Sequence, residues 1–320
     1  MRVNEPNDEF SFLSDQALAA GITGALPHGE RVSLQLADGR TLSALRYMPP
    51  GGESPSPAVT LLHGAGLNAH TWDTTIVALG LPVLAIDLPG HGDSSWRGDA
   101  TYVAATLWPD VAAAIDAWTD GPQLLVGHSL GGLTAAAVAA ERSDLVHELM
   151  IVDITPGVSL QGGPSELSAF FAGPTDWASR DELVDRAISF GFGGDSRAKV
   201  ERGVYFNSRI RDDGRVEWKH HFAHLAAAMV AASATTADQT APSPPAVSSL
   251  GETGWTDLAA VTAPITLLRG QHGYISEANL AEFVARVPAA SIVSMPSGHN
   301  PQEEIPRELA DQIKKRISAG

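Results

Sequence analysis

Short apolar runs separated by longer amphipathic spacers set the rhythm of this chain. Residues 31–36 (RVSLQL) and 42–47 (LSALRY) flank an Asp38-Gly39 pair, and alternation on both sides of such a dipeptide predicts an antiparallel hairpin. Six compact runs follow at 58–62 (AVTLL), 82–86 (PVLAI), 123–126 (QLLV), 148–152 (ELMIV), 264–268 (PITLL) and 290–295 (ASIVSM). Four of them give way directly to His63, Asp87, Gly127 and Asp153. Polar or glycine residues just past an apolar strand mark the carboxyl edge of a parallel sheet, where open α/β folds place their sites.

The spacers have helical period. Val103, Leu107, Val111, Ile115 and Trp118 recur at three- to four-residue steps in 102–118, residues 130–141 are rich in alanine, and Leu309, Ile313 and Ile317 repeat in 307–317. Alternating strands and helices predict an α/β fold with a mainly parallel sheet of eight strands. Segment 155–258 breaks this rhythm. It lacks clear strand runs, has helical spacing in 166–190 and 215–231, and contains a Ser-, Thr-, Ala- and Pro-rich piece, 232–254, expected to be a mobile loop. The expected organisation is a core in two parts, 1–154 and 259–320, with 155–258 inserted after strand six as a helical cap. No internal repeat is visible.

Composition narrows the chemistry. The 320 residues are 44% hydrophobic and 18% charged, with a net charge of −16, which suits a globular chain and disfavours nucleic acid or an anionic membrane surface as partner. No cysteine is present, which excludes disulfides, thiolate metal sites and a cysteine nucleophile. Residues 1–27 carry Glu5, Asp8, Glu9 and Asp15 and no long apolar stretch. No secretory leader or membrane span is expected, and a cytoplasmic setting is the default.

The sharpest motif is Gly127-His128-Ser129-Leu130-Gly131, a G-x-S-x-G pattern between an apolar run and an alanine-rich helix. A tight strand-to-helix turn lifts such a serine clear of the sheet, and the helix N-terminus offers free N–H groups to a developing oxyanion. Ser129 is the candidate nucleophile, and the Leu130 N–H, next in the chain, is a candidate oxyanion donor.

With Leu61-Leu62-His63-Gly64, Asp87-Leu88-Pro89-Gly90-His91-Gly92-Asp93-Ser94 and Ser297-Gly298-His299, this motif makes residues 30–320 resemble the α/β-hydrolase superfamily. The resemblance implies the α/β-hydrolase fold with helices flanking the sheet, His299 as general base, and a second oxyanion donor at Ala65, with Gly66 able to share that role. Most of the superfamily carries its acid after the seventh strand, but there this chain reads Gly270-Gln271-His272-Gly273, with glycine at the carboxylate position. The other site known in the superfamily is the end of strand six, which points to Asp153. Asp257 and Glu303 are weaker substitutes. His128 is read as structural, and His63 and His91 as holding loops.

Two other patterns compete. Residues 64–69 (GAGLNA), with Asp87 about 20 residues on, fit a dinucleotide fingerprint on paper, but the motif sits on the third strand and leaves Ser129 and His299 unused. His220 and His224 share one helix face, yet no third ligand stands near them in sequence, so no metal and no organic cofactor is expected. Phe170, Phe171, Trp177, Tyr205, Phe206, Trp218 and Phe222 crowd the cap. Gly66, Trp218 and Phe222 are the candidate substrate-lining residues. The reading is a serine hydrolase of a carboxylic ester of a small or medium apolar molecule. A lactonase or a carbon–carbon bond hydrolase of the meta-cleavage type with the same triad is the alternative, and a non-catalytic binding protein is the other class.

Overall fold

The computed structural model describes residues 8–51, 56–158, 173–191, 196–226 and 250–317. Its main sheet has eight strands: β1 (His28–Gln35), β2 (Thr41–Met48), β3 (Val59–Leu62), β4 (Val83–Asp87), β5 (Gln123–His128), β6 (Val146–Val152), β10 (Ile265–Gly270) and β11 (Ser291–Met295), in the order β1-β2-β4-β3-β5-β6-β10-β11. β1 pairs antiparallel with β2, and β2 with β4; every other pairing is parallel. The hairpin turns at Asp38-Gly39 as its dipeptide predicts, with Gly39 at φ 84°.

Both faces of the central strands are apolar, and period-2 geometry sorts them. Leu125, Leu149, Ile151 and Leu267 face one side, against the helices α3 (Ala104–Trp118), α4 (Leu130–Glu141) and Leu250–Ala260. Leu124, Val126, Met150, Val152 and Leu268 face the other, against α1 (Leu13–Ala19), α2 (Asp73–Leu79) and the helix Pro306–Ile317. Each buried Leu or Ile contributes about 1.5–3 kcal/mol. α4 is buried throughout 130–139. Its alanines let it lie close to the sheet, and this fixes the turn that precedes it.

The insertion between β6 and β10, called the cap below, differs from the strandless helical segment expected from sequence. Its helices Arg180–Ser189 and Arg197–Asn207 are joined by β7 (Asp176–Trp177), β8 (Ser208–Ile210) and β9 (Val216–Trp218), a small antiparallel sheet in the order β7-β9-β8. The missed signal is a turn at Asp213-Gly214, where Gly214 takes φ 80° and Arg211 N–H reaches Arg215 O at 2.8 Å. Val216 and Trp218 then point inward with strand period, so the helical spacing read across 215–231 gives way at 216–218, while 221–226 is helical and 227–231 lies outside the described residues. Phe170, Phe171 and most of 232–254 lie outside the described residues, and 250–254 is helical, not loop.

An N-terminal segment straps core to cap. Phe12 packs on Tyr205 and Phe206 of the cap at 5.3 and 5.4 Å. Glu9 bonds Arg31 at 2.6 Å and His70 Nε2 at 3.1 Å, and Arg31 reaches the buried Asp87 at 2.8 Å. His70 Nδ1 lies 3.0 Å from Asp73, which also accepts the Tyr47 hydroxyl. Phe206 stacks on the His70 ring at 3.7 Å. Carboxylates at both ring nitrogens demand a ring that donates twice, which is imidazolium. Burial pushes His70 downward, but Asp73 and Glu9 outweigh it and raise it from 6.5 to about 9. Burial likewise opposes the Glu9 carboxylate, while hydrogen bonds from His70 and Arg31 bring it down to about 2.

The folded state therefore holds a proton on His70 that the unfolded chain releases near 6.5. The stability it brings is complete below that pH and is lost as pH rises through about 9. Urea unfolding between slightly acidic and strongly basic pH should show stability falling in the wild type and a flatter slope in His70→Gln. Parallel slopes would refute the assignment.

Candidate active site

Ser129 occupies the turn between β5 and α4 at φ 52°, ψ −120°. A side-chain-bearing residue at positive φ costs about 1–3 kcal/mol and persists only where its surroundings dictate it. Here they do. The Ser129 N–H is tied to Val152 O on β6 at 3.1 Å. A Cβ on Gly131 would lie 2.5 Å from the carbonyl oxygens of Leu62 and His63, so α4 approaches β3 only because that residue is glycine.

The loop after β3 lies against this turn. A Cβ on Gly64 would fall 3.2 Å from Ser129 Cβ. Gly66 sits at φ 75°, in a turn closed by Leu67 N–H to Gly64 O at 3.2 Å. Among the described residues neither the Ala65 N–H nor the Leu130 N–H has a protein acceptor. His63 steers the loop: its Nδ1–H donates to Gly64 O at 2.7 Å, and its Nε2 accepts the Leu88 N–H at 3.0 Å. Burial holds this ring below its ordinary range, in keeping with a neutral tautomer. His91 similarly donates from Nδ1 to Pro89 O at 3.1 Å.

Asp153 follows β6 and is fully buried, at φ 49°. Its Oδ1 accepts the Gly270 N–H at 2.9 Å. Its Oδ2 accepts the Tyr274 N–H and His299 Nδ1, each at 2.8 Å. A Cβ on Gly273 would meet these carboxylate atoms at 2.1–2.4 Å. The carboxylate thus fills the space a side chain at 273 would claim, and glycine there is the condition for an acid at 153.

His299 lies in the loop after β11. With Nδ1–H given to Asp153, Nε2 is left as the basic nitrogen. Glu304 holds the loop by accepting the Gly298 and Asn300 N–H groups at 2.6 and 3.2 Å. His128, beside Ser129, donates from Nε2 to His299 O at 2.8 Å. Burial, aided by the neighbouring His299, keeps His128 well below the usual imidazole range. The Ser129 turn and the His299 loop are therefore joined directly. Among the described residues no hydrogen bond joins Ser129 Oγ to His299; such contacts often tighten only when substrate arrives.

The description of the alpha/beta hydrolase family matches residues 61–312. The chain belongs to that family. The esterase Rv0045c of Mycobacterium tuberculosis is 36% identical over 318 residues, 96% of this chain and 95% of that protein. A structure of that esterase superposes with a TM-score of 0.78 at 34% identity, over 98% of this chain and 100% of its own. E-2-(acetamidomethylene)succinate hydrolase shares the fold, with a TM-score of 0.72 at 20% identity over 91% of this chain and 100% of that one.

Within this alpha/beta hydrolase the remaining candidates separate. Phe222 packs between His91 and Tyr102 at 5.2 and 5.5 Å, under the core–cap junction. Trp218 does not join the group around Ser129: it is buried in the cap's own core, edge-on to Trp177 at 5.6 Å, because β9 turns it inward. Glu303 accepts from Thr71 at 2.9 Å, and neither it nor Asp257 bonds His299 among the described residues. Asp87, which a dinucleotide site would need for a ribose, is spent on Arg31 and the Ala69 and Asp93 N–H groups. Among the described residues no group of three or more His, Asp or Glu is arranged to hold a metal. Sequence reasoning missed Glu304 and Tyr274; a glutamate in the first turn after Asn300-Pro301 was a signal for the former.

Gly273→Ala should displace the Asp153 carboxylate and lower turnover by about 10²-fold, the scale of an ångström-sized misplacement. Comparing kcat of the two folded proteins checks this. An alanine variant with wild-type kcat would show that the carboxylate position is not needed.

Proposed function

We propose that this alpha/beta hydrolase cleaves carboxylic esters through an acyl-enzyme, with Ser129 as nucleophile, His299 as base and then acid, and Asp153 as the partner of His299. The observation that carries this reading is the 2.8 Å bond from His299 Nδ1 to a carboxylate buried at 0% exposure. That bond commits one ring nitrogen and leaves the other to take a proton. The esterase that is 36% identical over nearly the whole chain supports ester over amide or carbon–carbon bonds.

Ser129 Oγ attacks the ester carbonyl carbon as its proton passes to His299 Nε2, and the carbonyl electron pair moves onto oxygen. The Leu130 and Ala65 N–H groups receive that oxyanion; one such donor is worth about 2.7–4 kcal/mol in the transition state. The tetrahedral adduct collapses, the C–O bond to the alcohol breaks, and the leaving oxygen takes the proton from Nε2. Water, giving its proton to Nε2, attacks the acyl-enzyme, and collapse returns that proton to Ser129 as the acid leaves. Asp153 holds the ring in register and balances its charge in both halves. A lactone opens by the same steps, with the alcohol still attached to the acyl group.

The cap over the sheet edge and the apolar Phe222 favour a small or medium apolar ester, with Gly66 beside the acyl carbon. Residues 155–258 are taken as the cap and 1–154 with 259–320 as the body. No described helix is long and apolar enough to cross a membrane, and the substrate is taken to be met in the cytoplasm.

Hydrolysis of p-nitrophenyl esters of increasing acyl length should be abolished in Ser129→Ala and cut by about 10⁴-fold in Asp153→Asn, with both variants folded. Turnover surviving in Ser129→Ala would overturn the proposal, and near-normal turnover in Asp153→Asn would move the acid elsewhere.

A further inference from the structure

The loop after β10 contributes more than a vacant space at Gly273. The Tyr274 ring lies flat on the His299 imidazole, with centroids 3.7 Å apart and planes 12° apart. The loop that carries it is pinned. Gln271 N–H reaches Met295 O at 2.9 Å, His272 N–H reaches Ser297 O at 3.0 Å, and Arg269 Nε donates to Ile275 O at 3.1 Å. The Tyr274 N–H itself donates to Asp153 at 2.8 Å. Among the described residues the phenol makes no hydrogen bond, so the side chain's defined contact is its ring face. The His128 ring stands near His299 as well, at 4.6 Å and tilted by 51°.

We propose that Tyr274 is a positioning residue for His299, and that its ring face stabilises the imidazolium formed as Ser129 attacks; this rests on the triad reading above. The chemistry follows from the charge change. A neutral imidazole gains only stacking from the phenol ring, whereas a cation over an aromatic face gains cation–π attraction as well. The contact strengthens as His299 takes the proton, so it favours the transition state over the ground state. The groups facing His299 divide the work. Asp153 meets the edge at Nδ1, Tyr274 covers a face, neutral His128 adds no competing charge, and Glu304 acts on the loop backbone. Because the Asp153 hydrogen bond comes from the Tyr274 main chain, substituting the side chain leaves that donor in place.

The test compares Tyr274→Phe and Tyr274→Leu with wild type, measuring kcat and KM on a p-nitrophenyl ester across pH. Tyr274→Leu should lower kcat by about 3- to 30-fold with KM little changed. It should move the acid limb of kcat/KM to lower pH, because the protonated ring has lost a stabilising partner. Tyr274→Phe should restore kcat to within about twofold of wild type, since the face is kept. NMR titration of the His299 ring in the same proteins should move to lower pH in the leucine variant alone, and this readout needs no turnover. An unmoved titration with unchanged kcat in Tyr274→Leu overturns the proposal, as does a phenylalanine variant as impaired as the leucine one. Loss of the triad reading would show differently, as ester turnover that persists in Ser129→Ala whatever Tyr274 does.

Discussion

A single buried carboxylate organises the candidate active-site edge of this protein. Asp153 leaves the end of β6 and accepts hydrogen bonds from the end of β10, from the loop beyond it and from the histidine loop after β11. Three neighbouring strand ends are tied through one side chain. Burying such a group is costly unless it is well paired, and here two N–H groups and an imidazole meet it. The arrangement depends on a left-handed backbone at 153 and on a missing side chain at 273. The Ser129 turn and the His299 loop then settle around a fixed point.

The same side chain serves opposite purposes according to its surroundings. His63, His91 and His128 are buried without a carboxylate on either ring nitrogen and are held toward the neutral form, each using one N–H to fix a backbone carbonyl. His70, equally buried, has a carboxylate on each nitrogen and is held as a cation. Burial alone favours neutrality; the partners decide.

Much of this was legible in the sequence because its cause is local. Apolar runs such as LLV before Gly127 mark strands wherever both faces are covered, glycine at 131 completes the G-x-S-x-G turn, and glycine at 273 leaves the usual acid position without a carboxylate. What stayed hidden depends on distant partners. β7, β8 and β9 are two or three residues long, too short for periodicity to register, so Trp218 read as a pocket residue when strand geometry turns it into the cap core. Tyr274 looked like any loop aromatic, because its stacking on His299 depends on where two loops end in space. The acidic and aromatic residues at 8–13 carry no motif at all; their meaning comes from Arg31, His70 and Phe206.

Beside the N-terminal strap, a second tie joins the loop after β3 to the cap. Asn68, in the loop after β3, bonds Asn207 of the cap at 2.7 Å, and Phe206 beside it stacks on His70 of the same stretch. The helix Arg197–Asn207 is thus held to the short stretch of chain that follows Ala65. The placement of that helix and the shape of the loop are therefore set together, and the seating of one fixes the other.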